Sequence, residues 1–184
     1  MLAFQGDARL PRAVEATALS EAAAIWAPYG VAVRRVNLCV PQEGGTRLTV
    51  TIAKPSGGPV AAGTWSGIFG AMQFRGGVPA PEIAIFYDEV LRLMKTTPVR
   101  GRSETDWPAA FRELMIGRVV GRVLAHEIGH VLLRLRGHAS SGLMRPQPSL
   151  DELVDVDRRR FALSPADQAH WRLLTDASAI GSLW

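Results

Sequence analysis

The longest helical signal in the chain is the stretch WPAAFRELMIGRVVGRVLAHEIGHVLLRL, residues 107–135. Asp106 suits an N-cap, Pro108 a first turn, and Gly137 a stop. Apolar residues recur at helical spacing throughout the stretch: Phe111, Leu114, Met115, Val119, Val123, Ile128 and Leu132. We therefore predict one long helix, around which the rest of the chain must pack.

Two histidines of this helix, His126 and His130, stand four residues apart and so lie one above the other on the same face. Both imidazoles could reach one ion at about 2.0–2.1 Å. Glu127 is suited to accept a proton from a water on that ion. The alternative is a pair of ordinary histidines on an amphipathic helix. A chance match to the motif is on the order of one per cent, which favours a zinc site.

A catalytic zinc site uses three protein ligands and one open position. His138 is the first candidate for the third ligand, although a continuous helix would place it about 12 Å beyond His130. The chain must therefore fold back, and Gly137 tolerates the left-handed backbone that this requires. Among the rival carboxylates, Glu152 is favoured by its spacing in a downstream helix. The rivals are Asp151, Glu152, Asp155 and Asp157.

The remaining periodicities predict an α+β fold. Helices are expected over residues 11–29, 88–95 and 164–175. Strands are expected over residues 31–40, 47–53 and 82–87, and an irregular strand is expected over 64–74. Pro79 and Pro81 are expected to lie just before the 82–87 strand and to bound it. Residues 54–63 and 139–149 have the composition of loops and turns.

Bulk composition excludes several classes of protein. The net charge of +4 comes from 21 basic and 17 acidic residues, and the arginines are scattered, so we expect no nucleic-acid partner. No apolar run approaches the ~20 residues of a membrane span, so no membrane partner is expected either. The single cysteine, Cys39, excludes an internal disulfide, and we expect it to be packed and without a role.

The chain of 184 residues fits one domain over residues 1–184, without repeats or long linkers, and we expect a monomer. Residues 1–11 carry Asp7 and Arg9 and lack the apolar stretch of a signal peptide. The compartment stays open, because a secreted or periplasmic location would follow if a leader had been trimmed.

Three short segments together resemble the metzincin zinc peptidases, especially the matrixin-like members: His126-Glu127-Ile128-Gly129-His130, then Gly137-His138, then Ser141-Gly142-Leu143-Met144-Arg145-Pro146. The resemblance covers about twenty residues. It implies His126, His130 and His138 as metal ligands, Glu127 as general base, and Met144 as a turn methionine beneath the metal. It also implies a twisted mixed sheet on a first helix, the zinc helix beneath the sheet, and a small C-terminal part below the cleft.

The spacing departs from the family pattern, in which glycine follows the second histidine by three residues and the third ligand follows it by six. Leu133 and Arg136 occupy those positions here, and Gly137-His138 come two residues late. Met144 nevertheless keeps about the family separation from His130. We interpret this as a longer helix followed by a shorter loop.

These features predict a zinc-dependent metallopeptidase that hydrolyses peptide bonds of a peptide or protein substrate, with Glu127 as general base. The strand over residues 82–87 is either the sheet edge that captures an extended peptide or an ordinary internal strand. The alternative function is a non-catalytic zinc-binding interaction domain of zincin fold. Glu127 argues against it, because a structural site needs no base.

Overall fold

The computed structural model describes residues 2–5, 10–35, 46–53 and 69–181, with backbone alone for 2–5 and 177–181. The predicted α+β class is confirmed, with a mixed sheet and one long helix. The strands and helices are β1 Leu2–Gln5, α1 Arg12–Trp26, β2 Leu48–Ile52, β3 Gly70–Arg75, β4 Val78–Ile85, α2 Tyr87–Thr96, α3 Ala109–Leu133, α4 Leu150–Val154 and α5 Pro165–Gly181. Cys39, loop 54–63 and most of the predicted strand 31–40 lie outside the described residues.

The sheet has the order β1-β2-β4-β3. β1 pairs in parallel with β2, and β2 with β4, whereas β3 pairs antiparallel with β4. Strand β1 was not predicted from the sequence, and residues 31–34, the described start of the predicted 31–40 strand, lie in neither a helix nor a strand. The helices at 11–29, 88–95 and 164–175 are confirmed as α1, α2 and α5, although α1 ends three residues earlier than predicted and α5 runs six residues further.

Strand β4 begins earlier than predicted, because it runs through Pro79 and Pro81 instead of starting after them. β2 pairs with β4 only from Glu82 to Ile85, so the prolines lie where β4 has a neighbour on one side alone. A missing N–H on the open side removes no ladder hydrogen bond. β4 is also internal, between β2 and β3, so the hypothesis that it captures a peptide at a sheet edge is wrong.

Helix α3 is buried along most of its length: every residue from Met115 to His130 except Arg118 is buried, and so is Leu133. It packs against α1, contacts β3 and β4 of the sheet, and also meets α4 and α5. The indole Nε1 of Trp26, at the end of α1, donates a hydrogen bond of 3.0 Å to the carbonyl oxygen of Ala125. A helix with neighbours on nearly every side must be apolar nearly all round, which the sequence of α3 is.

Glycines allow α1 and α3 to approach closely. A methyl group on Gly121 would lie 2.7 Å from the carbonyl oxygen of Ala18, and one on Gly117 would lie 2.6 Å from the Cβ atom of Thr17. Backbone in a neighbouring helix cannot move aside cheaply. The sequence pattern Gly-x-x-x-Gly on α3 therefore sets the distance between these two helices.

We expect Gly121→Ala to lower the free energy of unfolding by about 1–2 kcal/mol, because overpacking outweighs the better helix propensity of alanine. The measurement is urea denaturation followed by circular dichroism. Gly137→Ala is the matched control, since Gly137 faces open space and has no positive φ angle, and it should change stability by less than about 0.5 kcal/mol. Equal unfolding midpoints for the two variants would contradict the close helix packing.

A buried arginine, Arg122, ties α3 to the C-terminal part of the chain. Its guanidinium lies 2.9 Å from Oε1 of Glu21 on α1 and donates to the carbonyl oxygens of Glu152, Asp155 and Asp157. Burial lowers the pKa of Arg122, and Glu21 opposes that shift. This network was not predicted, although an arginine on the apolar face of a long helix is itself an unusual signal.

Among the described residues, none of the helices combines the length and the apolar content that crossing a membrane would require.

Candidate metal centre

Three histidines that are separate in sequence come together at the C-terminal end of α3. His126 and His130 lie one helical turn apart, with their Nε2 atoms separated by 3.1 Å. The ring of His138 lies 5.1 Å from that of His126 and 5.0 Å from that of His130, measured between centroids. One nitrogen from each ring lies within 4.8 Å of the others, so the three residues could hold a metal ion.

Backbone carbonyls determine which nitrogens face the centre. Nδ1 of His126 lies 2.8 Å from the carbonyl oxygen of Leu143, and Nδ1 of His130 lies 2.6 Å from that of Leu135. A carbonyl oxygen can only accept, so each Nδ1 must carry the proton of its neutral ring. Both Nε2 atoms then present lone pairs to each other, an arrangement that is repulsive unless a cation lies between them.

The separation of the Nε2 atoms also fits a metal. Metal–nitrogen bonds of about 2.0–2.1 Å with tetrahedral angles place two nitrogen ligands about 3.3 Å apart, close to the 3.1 Å between His126 and His130. Metal-binding histidines commonly donate their second ring N–H to a carbonyl or carboxylate, as both do here.

The chain reaches His138 by a different route from the one predicted. α3 ends at Leu133, and Arg134 takes the left-handed conformation with a φ of 54°. Gly137 has no positive φ, so it is not the residue that stops the helix. The predicted helix over residues 107–135 is therefore two residues too long at this end, and the prediction that Gly137 stops it is wrong. Beyond this helix end, the carbonyl oxygen of Leu135 lies 2.6 Å from Nδ1 of His130.

Met144 packs against Gly129, the glycine that lies between the two α3 histidines in sequence. It is buried, and its sulfur fills the space over Gly129, where a methyl group would overlap it. The turn that carries Met144 is fixed by Gly142, with a φ of 77°, and by the hydrogen bond from Leu143 N to the carbonyl oxygen of Ala162. The glycine inside the histidine motif thus makes room for the methionine, and the same turn supplies the carbonyl that orients His126.

Glu127 is fully buried beside the histidines, and neither carboxylate oxygen has a hydrogen-bond partner among the described residues. Gly70, the first residue of β3, lies against it, so that a methyl group there would come 3.0 Å from Oε1. A buried carboxylate without a partner is costly and uncommon. His138 Nε2 is also buried without a partner. Two orphaned polar groups at one centre fit a site built for an ion and a reacting molecule.

Burial dominates the electrostatics of the centre. It lowers the pKa of His126 well below its usual value, and the nearby His130 adds to the effect. It lowers the pKa of His130 to about 4 and also lowers that of His138. The imidazoles are therefore neutral at pH 7, which is the form that binds metals. Burial raises the pKa of Glu127 well above its usual value, and a cation held by the histidines would oppose that rise.

The rival carboxylates are engaged elsewhere. Glu152 lies in the capping box of α4 and forms ion pairs with Arg145 and Arg160 at 3.1 and 2.7 Å. Although burial raises the pKa of Glu152, hydrogen bonds from Ser149 and both arginines lower it to about 2. Asp151, Asp155 and Asp157 accept hydrogen bonds from Arg100 or Arg159, or from backbone near them. None of the four joins the histidine cluster.

The centre thus combines three convergent imidazoles, two of them oriented by backbone carbonyls, with one buried carboxylate. Of the residues predicted from the sequence, His126, His130 and His138 come together, and Glu152 stays apart from them. Glu127 follows His126 in α3 and is buried without a hydrogen-bond partner among the described residues. Gly70, Leu135 and Leu143 were not predicted as parts of it, because each reaches the centre through backbone geometry. Comparison of the chain with protein-family models, with curated proteins and with solved structures found no match in any of the three.

Proposed function

We propose that this chain is a zinc metallopeptidase of metzincin, matrixin-like type that hydrolyses peptide bonds. The observation that carries the proposal is the convergence of three neutral imidazoles beside the unpartnered buried carboxylate of Glu127. His126, His130 and His138 would hold the zinc. Three histidine ligands leave a position open for chemistry, as catalytic zinc sites do.

When bound, zinc supplies Lewis-acid chemistry, which acidifies water and polarises a carbonyl group. Glu127 provides the proton transfers. Its carboxylate accepts a proton as the water oxygen bonds to the peptide carbonyl carbon, and it gives that proton to the amide nitrogen as the C–N bond breaks.

The surroundings of Glu127 help to hold it for this task. Gly70 packs against the side chain, and the fully buried position keeps bulk water from the carboxylate. The carbonyls of Leu143 and Leu135 fix the rings of His126 and His130. Little reorganisation would therefore be needed when a substrate arrives, which is a large part of catalytic efficiency.

An extended peptide would bind along β3, which takes over the role that the sequence suggested for the 82–87 strand. Among the described residues, no strand pairs with the outer side of β3. An added strand gains backbone hydrogen bonds at such an edge. Because β3 begins at Gly70, against Glu127, a peptide there would pass directly beside the carboxylate.

Several features support the family assignment. The mixed sheet, the first helix, the long helix with the histidine motif and the buried Met144 are those that the resemblance implies. The loop before His138 is two residues longer than the family spacing, yet His138 still reaches the cluster.

The proposal is tested by adding Zn²⁺ to metal-free full-length protein and incubating it with a peptide mixture from a digested proteome. Mass spectrometry should find new peptide termini that require zinc and disappear with a chelator. Binding of about one zinc ion without any new termini would instead favour the non-catalytic zinc-binding domain. Absence of zinc binding would remove both.

We further expect His138→Ala to weaken Zn²⁺ binding at least about 100-fold, more than the loss of a group that merely orients a ligand. The measurement is competition with a chromophoric chelator at pH 7.5. Glu152→Ala is the control and should leave zinc affinity unchanged, because Glu152 pairs with Arg145 and Arg160. The reverse ranking of the two variants would make Glu152 the third ligand.

A further inference from the structure

The loop that leads to His138 carries two exposed arginines, Arg134 and Arg136. Among the described residues, no carboxylate lies within ion-pair distance of either one, whereas nearby arginines such as Arg75 and Arg145 each have an acidic partner. These two positive charges lie in the loop that borders the histidine cluster, here called the rim of the centre, and they give it a positive potential. Such a rim favours ligands of negative charge.

Arg136 is the better positioned of the two. Its guanidinium carbon lies 4.8 Å from the ring centroid of Phe74 on β3, in a cation–π arrangement. The contact joins the loop of the third histidine to the strand along which we propose that substrate binds. A phenyl ring in this position attracts the guanidinium without using its N–H groups, which can form paired hydrogen bonds with a carboxylate.

The register of β3 places this charge at a defined distance from the centre. Gly70 contacts Glu127, and Phe74 follows four residues later on the same strand. Four residues of strand span roughly 13 Å. A peptide lying along β3 with its cleaved bond beside Glu127 would therefore present a side chain to Arg136 about three to four residues away from that bond.

We propose that Arg136, held on Phe74, forms a subsite for the carboxylate of an aspartate or glutamate in the substrate peptide. The inference rests on the proposed peptidase function and adds a substrate class, peptides with an acidic residue at a fixed distance from the cleaved bond. No covalent step is involved. Arg136 acts through binding and orientation, so its contribution falls on substrate preference.

The first test profiles cleavage sites of the zinc-loaded protein in a proteome-derived peptide library. Wild type should show Asp and Glu enriched at one position, about three to four residues from the cleaved bond. For a matched pair of peptides with Glu or Gln at that position, Arg136→Gln should remove a preference of about tenfold in kcat/KM. Arg136→Glu should favour Lys or Arg there. The control is Arg102→Gln, the same change at an exposed arginine in the segment between α2 and α3. This variant should keep the wild-type preference.

Two further variants separate a built subsite from a general effect of charge. Phe74→Leu keeps Arg136 but removes the aromatic ring beneath its guanidinium. This variant should weaken the preference for an acidic residue in the substrate. Arg136→Lys keeps the charge but loses the planar fork and should not restore the preference fully. If Arg136→Lys and Phe74→Leu both match wild type, the rim acts only through its net charge, and the subsite is overturned.

A binding measurement keeps this inference distinct from the proposed function. Zinc-loaded Glu127→Gln should bind a fluorescent acidic peptide more tightly than its Gln counterpart, and adding Arg136→Gln should abolish that difference. Cleavage by wild type without any acidic preference overturns the subsite and leaves the peptidase standing. If no peptide is cleaved but the acidic peptide still binds more tightly in a way that depends on Arg136, the peptidase proposal is overturned and the subsite stands. Absence of both cleavage and acidic binding overturns both.

Discussion

Glu127→Gln is expected to lower kcat/KM for peptide hydrolysis by about 10³-fold, within the range found for the loss of a general base. The amide has nearly the same shape as the carboxylate but cannot accept a proton from water and return it to the amine. Zinc content should stay at about one ion per chain, because the three histidines are untouched. The measurements are initial rates on a peptide identified by cleavage-site profiling and metal analysis of the purified variant.

The control for this variant is Glu89→Gln, an acid-to-amide change on α2. Glu89 pairs with the exposed Arg92 at 2.6 Å and lies outside the histidine cluster. It should leave kcat/KM within about twofold, since an exposed ion pair is worth little. A Glu127→Gln enzyme as active as wild type would remove the base assignment and with it the proposed mechanism.

The second large effect is on stability, at Arg122. Arg122→Ala should lower the free energy of unfolding by about 3 kcal/mol, because it leaves the buried carboxylate of Glu21 without the arginine that pairs with it inside the protein. Glu21 keeps Arg158 at 2.7 Å, which places the loss at the lower end of the usual range. The carbonyls of Glu152, Asp155 and Asp157 also lose their donor. Urea denaturation measures the change.

Arg159→Ala provides the comparison for Arg122→Ala. Arg159 pairs with Asp157 at 2.8 Å, but its side chain is 91% exposed, so its removal should cost less than about 0.5 kcal/mol. Similar losses for both variants would mean that Arg122 contributes no more than a surface pair. A large loss confined to Arg122→Ala would establish it as the tie between α3 and the C-terminal segment.

The sequence predicted well what depends on local spacing. The four-residue step between His126 and His130 places both rings on one face of any α-helix, and no other part of the chain is needed for that. The alternation of Leu48 and Val50 likewise predicted β2, because a strand with one buried face repeats every two residues.

Errors arose where partners distant in sequence decide the outcome. The sequence predicted that Pro79 and Pro81 mark a strand boundary. They lie inside β4 instead, where β2 no longer pairs with it. The sequence left open whether β4 is an edge strand, and β3 pairs with its outer side, so β4 is internal. Gly137 was expected to stop α3, but the helix ends at Leu133 and the chain turns at Arg134, which brings the carbonyl oxygen of Leu135 to Nδ1 of His130.

The sequence by itself determined that two imidazoles and a carboxylate share one end of a long apolar helix, since helical geometry follows from local residue order. Only the tertiary structure decided that His138 completes the cluster while Glu152 does not, and that Phe74 lies beneath Arg136. The physical reason is that the path of a loop and the order of a sheet depend on contacts between segments far apart in the chain, and no short-range pattern encodes those contacts.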